Sequence, residues 1–218
     1  AGAMGTAWVQ GVQGSGAGTS LKHFAANNQE YKRFNGNSQV DERTLRELYL
    51  PAFEAVVKDA QPETVMCSYP RVNDVHSSDN TWLLTEVLRR DWGFEGLVVT
   101  DWGALCDRVK AMRAGCDLSM PGGSTYMEDW VAEAVRNGSL REAEVDACAA
   151  RVLTLALRGK SRPKGKPFDQ DAHDALAQKI AEQGAVLLKN EDAILPLAEK
   201  DMVLIGEMAP VSYTHLTL

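Results

Sequence analysis

FEGLVVTDWGA, residues 94–104, is the stretch on which the fold turns. Gly96 is followed by three apolar residues and Thr100, and then by Asp101, Trp102 and Gly103. A short, continuous apolar run after a glycine predicts a strand covered on both faces. The acid at its end has two readings. Asp101 could cap a helix starting near Ala104, a common use of Asp after a strand. It could equally be a reactive carboxylate set at a strand's carboxyl end.

The segments around this run alternate. Upstream, TSLKHF (19–24) and TVMCSY (64–69) read as strands. Residues 41–60 and 80–93 read as helices, because apolar side chains recur there at helical spacing. Pro51 predicts a kink or a second helix start. Residues 1–18 read as a helix end and then a Gly-rich loop. Downstream, a short helix is expected over 104–114, then a strand and turn in GCDLSMPGG (115–123). A helix follows over 126–138. Ser139 and Glu142 have capping-box spacing for the next one, expected to end near Leu157. A basic linker, RGKSRPKGKP, precedes a helix from residue 170 and a fresh strand in MVLIGE (202–207).

Strand, helix, strand, helix at this spacing means parallel βαβ units. In a (β/α)₈ barrel the rim at the strands' carboxyl ends carries the active site. A doubly wound sheet is the alternative. Its signature is a glycine fingerprint directly after a strand; GSGAG (14–18) is looser and precedes a strand.

The totals exclude other classes. Thirty acids against 23 Lys and Arg give a net charge of −7, and no basic block appears, so nucleic acid is not the expected partner. No apolar run approaches a membrane span. Cys67, Cys106, Cys116 and Cys148 form no C-x-x-C pair. They read as buried thiols in a reducing compartment, with no metal site or cofactor expected. The chain opens AGAMG, so its true N-terminus reads as missing. With no signal peptide in view, the expected location is the cytoplasm. Assembly into a homo-oligomer is left open.

Four expected strand ends offer functional groups: Lys22 with His23, then Tyr69, then Asp101 with Trp102, then Met120 before Pro121-Gly122. Singly, each has a bland role: a surface lysine, a satisfied core histidine, a solvated phenol, a helix cap. Together on one rim they read as a hexose-binding cup. Aromatic faces pack on sugar rings, and charged groups hold hydroxyls.

TSLKHFAANNQE (19–30), VDERTLRELYLPAFE (40–54), NTWLLTEVLRRDWGFEGLVVTDWGA (80–104) and AGCDLSMPGG (114–123) resemble glycoside hydrolase family 3, in its β-glucosidase branch. The resemblance runs from about residue 8 to residue 210, with the motifs in order. It implies an α/β chain: the C-terminal part of a (β/α)₈ TIM-like barrel over 1–160, a linker over 161–175, and the first elements of an α/β sandwich domain over 176–210. It also implies a retaining exo-acting β-glycosidase that acts on terminal β-D-glucosyl residues through a covalent intermediate. Asp101 matches the nucleophile. Lys22, His23 and Arg33 match residues that hold sugar hydroxyls. Tyr69 matches the tyrosine beside the nucleophile, Trp102 the wall of the pocket, and Met120 lies on the same rim. A retaining enzyme needs one ionised carboxylate and a second carboxylic acid; Lys22 or Arg33 nearby would favour the charged form of the first.

Against the family pattern, the earlier barrel strands are missing, and with them an aspartate and an arginine of the sugar pocket. The acid/base glutamate of this branch lies beyond the chain, so the chain alone is expected to be inactive. VSYTHLTL (211–218) reads as a foreign tail. In SYPRVND (68–74), Pro70 and Asp74 stand where the family has other residues. The β-N-acetylhexosaminidase branch is disfavoured because KHF runs into AANNQE. A β-xylosidase or α-arabinofuranosidase stays open. From other classes, Lys22 as the Schiff-base lysine of a barrel aldolase leaves Asp101-Trp102 unexplained, and a non-catalytic fragment is the third option.

Overall fold

The structure, a computed structural model, describes residues 1–122, 125–162, 167–197 and 203. The chain divides into two compact units, residues 1–165 and 166–218.

In the first unit, strand β1 (Ser20–Phe24), β3 (Thr64–Cys67) and β6 (Leu97–Thr100) form a parallel sheet in that order. A parallel bridge from Val99 to Leu118 adds a fourth position beside β6. Each strand therefore lies beside its predecessor, as in a barrel; a doubly wound sheet would reverse direction around its first strand. The remaining strands, β2 (Asn37–Ser38), β4 (Arg71–Val72) and β5 (Val75–His76), make a small ribbon apart from this sheet.

Only β6 is buried along its whole length. In β3 burial alternates, with Val65 and Cys67 buried, and in β1 only Phe24 is buried. The strand covered on both faces that the run after Gly96 predicts is thus found in β6, while β3 and β1 are only partly buried. β1 is an edge strand among the described residues, with Ser20 and Lys22 exposed. The buried side chains of the sheet share one core with helices α3 (Pro51–Ala60) and α4 (Arg108–Ala114) and with the π-wound helix Trp82–Asp91. Phe24 anchors this core, its ring 5.2 Å from Phe53 and 5.7 Å from Trp92. Pro51 occupies the first turn of α3, where its missing N–H leaves no bond unmade.

Helix α4 begins at Arg108, not near residue 104, because Asp107 caps it by accepting from the Lys110 N–H at 3.0 Å. The helix Glu142–Ser161 likewise corrects its expected cap. Its N-cap is Arg141, with Glu144 reaching back to the Arg141 N–H at 2.9 Å. Ser139 is unavailable because its hydroxyl donates to Ala134 O on the preceding helix, Thr125–Arg136. That long helix ends one turn beyond Leu157.

Sequence reasoning passed over Asp117, whose side chain is fully buried between Arg89, 2.7 Å away, and Arg151, 2.8 Å away. Its carboxylate also accepts from the Val98 N–H of β6 at 2.8 Å. This clamp ties the fourth sheet position to the helices Trp82–Asp91 and Glu142–Ser161.

Asn73 and Asp74 turn the hairpin between β4 and β5 with φ of +50° and +72°, the primed geometry that favours Asn and Gly. Asp74 is tolerated because its Oδ1 accepts from Asn37 at 2.6 Å and Gln39 at 2.8 Å. Those two bonds hold its carboxyl below the usual carboxylate range. The stabilisation is therefore present above the ordinary carboxylate value and lost as the pH falls through the lowered one. Asp74→Ala keeps the Cβ strain and loses both bonds, so a melt at neutral pH is expected to show a lower Tm than wild type. Asp74→Gly, which removes the strain, is expected to recover part of the loss; a glycine variant that melts below the alanine one would contradict this.

In the second unit the helix Gln170–Gly184 is capped by Asp169, which accepts from the Ala172 N–H at 3.0 Å. The expected strand MVLIGE, Val203 apart, and the tail 211–218 lie outside the described residues. No helix among the described residues is long and apolar enough to cross a membrane.

Candidate active site

Asp101 directly follows β6 and is 9% exposed. Its backbone N–H donates to Cys67 O of β3 at 3.2 Å, which fixes where the side chain leaves the sheet. With Asp107 capping α4, the cap reading of Asp101 falls away. Its carboxylate is held by functional side chains. Oδ1 accepts from the Tyr69 hydroxyl at 3.0 Å and from the Trp102 N–H at 2.6 Å. Oδ2 lies 3.1 Å from His23 Nε2. Three strand ends thus converge on one acid.

The electrostatics follow from burial. Desolvation pushes the His23 imidazole below its usual range, the Asp101 charge pulls it up, and Lys22 lowers it further. Burial raises the Tyr69 phenol, and its bond to Asp101 raises it more. The hydroxyl also lies 2.9 Å from Trp102 O, so one hydrogen serves two acceptors.

The other expected residues fall into place unevenly. Trp102 presents an indole that is 61% exposed beside the acid. Lys22 is exposed on the rim and, among the described residues, ion-pairs with neither Asp101 nor any other acid. Arg33 pairs with Glu30 at 2.9 Å, and its guanidinium lies 4.6 Å from the centre of the Tyr69 ring. Neither cation bonds Asp101; the Tyr69 hydroxyl and the Trp102 N–H do, and His23 stands beside it. Met120 is tied to β6 through its N–H to Thr100 Oγ1 at 2.8 Å, and its carbonyl accepts from the Gly103 N–H at 2.7 Å. Gly103 has φ +78°, a backbone that a side chain would strain. Met120 lines an apolar cavity of about 510 Å³ with Met112, Leu118 and Met127; Asp101 is not part of its lining.

Two residues in the support of the site had no sequence signal. The Ser68 hydroxyl donates to Ala25 O at 2.8 Å and sits 2.9 Å from the Ser77 hydroxyl. Ser77 donates to Pro70 O at 2.9 Å. Both serines are buried, and they tie the end of β1 to the loop after Tyr69. Serines in loops are common, and only the fold brings these two together.

Among the described residues, no second carboxylate bonds or ion-pairs with Asp101. None of them forms a cluster of three His, Cys, Asp or Glu side chains suited to a metal ion.

Fold and rim together define a mixed helix-and-sheet protein, consistent with a TIM-barrel-like domain, with a carboxylate at the carboxyl ends of its parallel strands. Residues 1–155 match the Glycosyl hydrolase family 3 N-terminal domain. The chain belongs to glycosyl hydrolase family 3. It is 50% identical over 191 residues to an exo-alpha-(1->6)-L-arabinopyranosidase of Bifidobacterium breve, covering 87% of this chain and 25% of that protein. It is 44% identical over 200 residues to thermostable beta-glucosidase B of Acetivibrio thermocellus, covering 91% of this chain and 26% of that one. Beta-glucosidase 3B of Thermotoga neapolitana, solved with glucose, superposes with a TM-score of 0.81 at 40% identity, over 91% of this chain and 29% of that one. The chain spans about a quarter of the length of the curated relatives it matches.

Proposed function

We propose that this chain carries the nucleophile half of a retaining exo-acting β-glycosidase, a β-glucosidase that removes terminal non-reducing β-D-glucosyl residues. The observation that carries this reading is the Asp101 carboxylate, set at a strand's carboxyl end, held by the Tyr69 hydroxyl and the Trp102 N–H, with His23 Nε2 3.1 Å away. In the first step an Asp101 oxygen bonds the anomeric carbon as the bond to the leaving oxygen breaks. That oxygen takes a proton from a general acid, which we assign to no residue here. Water, giving its proton to that same group now acting as base, then attacks the anomeric carbon, and the bond to the Asp101 oxygen breaks to restore the carboxylate. Lys22, His23 and Arg33 hold hydroxyls, Trp102 walls the pocket, and Met120 borders it.

We further propose that residues 1–160 are the C-terminal part of a (β/α)₈ barrel. The sequential parallel order, with helices covering one face, supports it. Residues 161–175 would be the linker, 176–210 the opening of an α/β sandwich, and 211–218 a foreign tail. The four free cysteines fit a reducing, cytoplasmic setting. The 50% identity to the arabinopyranosidase favours a second reading within the family, with α-L-arabinopyranosides as substrates.

His23 supplies the test. Its depressed titration means that the folded form resists protonation, so stability declines as the pH falls below the ordinary histidine range. In a histidine NMR titration of the chain, His23 is expected to titrate below the usual value and to shift when glucose is added. A His23 that titrates at or above that value, unmoved by glucose, would count against the site.

A further inference from the structure

The loop between β1 and β2 bears on Asp101 through a residue that the sequence does not single out. Phe34 is 51% exposed, yet its ring centre lies 4.3 Å from that of Tyr69, with the planes at 56°. The Arg33 guanidinium stands 5.6 Å from the Phe34 ring and 4.6 Å from the Tyr69 ring, and Glu30 holds it by an ion pair of 2.9 Å. Tyr69 leaves β3 on two soft side-chain torsions. Its hydroxyl has one hydrogen and two acceptors, Asp101 Oδ1 and Trp102 O. Hydrogen bonds weaken steeply with angle, so a small swing of the ring decides which acceptor is served.

We propose that Phe34 is a positioning residue for Asp101: packed on the Tyr69 ring, it keeps the phenol hydroxyl aimed at the carboxylate. A half-exposed phenylalanine adds little to a core, and the contact it makes is with the side chain that touches the acid. Aromatic pairs at this separation prefer tilted packing, which restrains ring orientation as well as position. The Arg33 guanidinium over the same ring adds a cation–π contact. The proposal rests on the glycosidase reading only for what Asp101 does; the Tyr69–Asp101 bond can be measured without catalysis.

The experiment is NMR on the 218-residue chain labelled at the ring Cζ of tyrosine. The chain has five tyrosines, and Tyr69→Phe assigns the resonance. In wild type the Tyr69 phenol is expected to titrate above the ordinary tyrosine range. In Phe34→Ala it is expected to move down by roughly half a unit or more, a detectable fraction of the spread seen in folded proteins. Asp101→Asn, which lowers it in wild type, should lower it by less in that background; an undiminished Asp101→Asn effect would overturn the proposal, since Phe34 would then only cover the ring. The Tm and the other tyrosines should stay put, and Phe34→Tyr should keep the wild-type titration. A Tyr69 that titrates identically in Phe34→Ala overturns the proposal, even if that variant binds glucose less well, because Phe34 would then be a sugar-contact surface. A variant that loses Tm and shifts every tyrosine overturns it too, since the role would be structural. If glucosylation of Asp101 is never seen while Tyr69 responds to Phe34, the glycosidase reading falls and the positioning stands.

Discussion

Replacing Asp117 with alanine is expected to destabilise the 1–165 unit by about 3–5 kcal/mol, the usual range for breaking a buried ion pair. The Asp117 side chain has no exposed surface and faces two guanidinium groups, at 2.7 and 2.8 Å. The Arg89 side chain is itself mostly buried, and burial pushes its guanidinium below the ordinary value despite the acid beside it. It also donates to Gly96 O and Gly115 O, so it cannot swing out without breaking the strand entrance and the end of α4. Removing the carboxylate leaves a buried cation and the unpaired N–H of Val98. Arg151 is about one-third exposed, so its share is the smaller. Asp117→Asn should also destabilise, because an amide presents a donor to two donors. Urea unfolding measures this, and a loss below about 1 kcal/mol would show that the clamp is not structural.

Asp101→Asn is expected to slow formation of any glucosyl adduct by on the order of 10⁴-fold or more, the scale of removing a nucleophile. The amide keeps the volume and one acceptor oxygen for Tyr69 and the Trp102 N–H, so the fold should survive. What it loses is the nucleophilic oxygen anion. Equal adduct rates in wild type and Asp101→Asn, followed by intact-protein mass, would mean that the reacting group lies elsewhere.

Much of this was legible in the sequence, for physical reasons. The run Leu97–Val99 puts apolar side chains on both faces of a strand, which favours a covered one. The helical stretches 41–60 and 80–93 carried their periodicity through Pro51 and through the π-wound turns. Boundaries were harder. Ser139 had the spacing of a cap, but its hydroxyl is used by the preceding helix. Asp101 stood where a cap could stand, but Asp107 does that work. The legible site residues were those with reactive groups at strand ends. Phe34, Ser77 and Asp117 were not legible, because their roles depend on partners 35, 9 and 34 residues away that only the fold brings close.

The central claim is that Asp101 is the nucleophile, and one measurement addresses it without a general acid. Fluoride departs without protonation, so 2-deoxy-2-fluoro-β-D-glucosyl fluoride tests the attacking carboxylate alone, whereas an aryl β-glucoside with a poor leaving group should not be turned over by this chain. After incubation with the fluoride, digestion and peptide mass mapping are expected to find the fluoroglucosyl group on Asp101. A fluoroglucosyl group on any other residue, with Asp101 unmodified, would contradict the account.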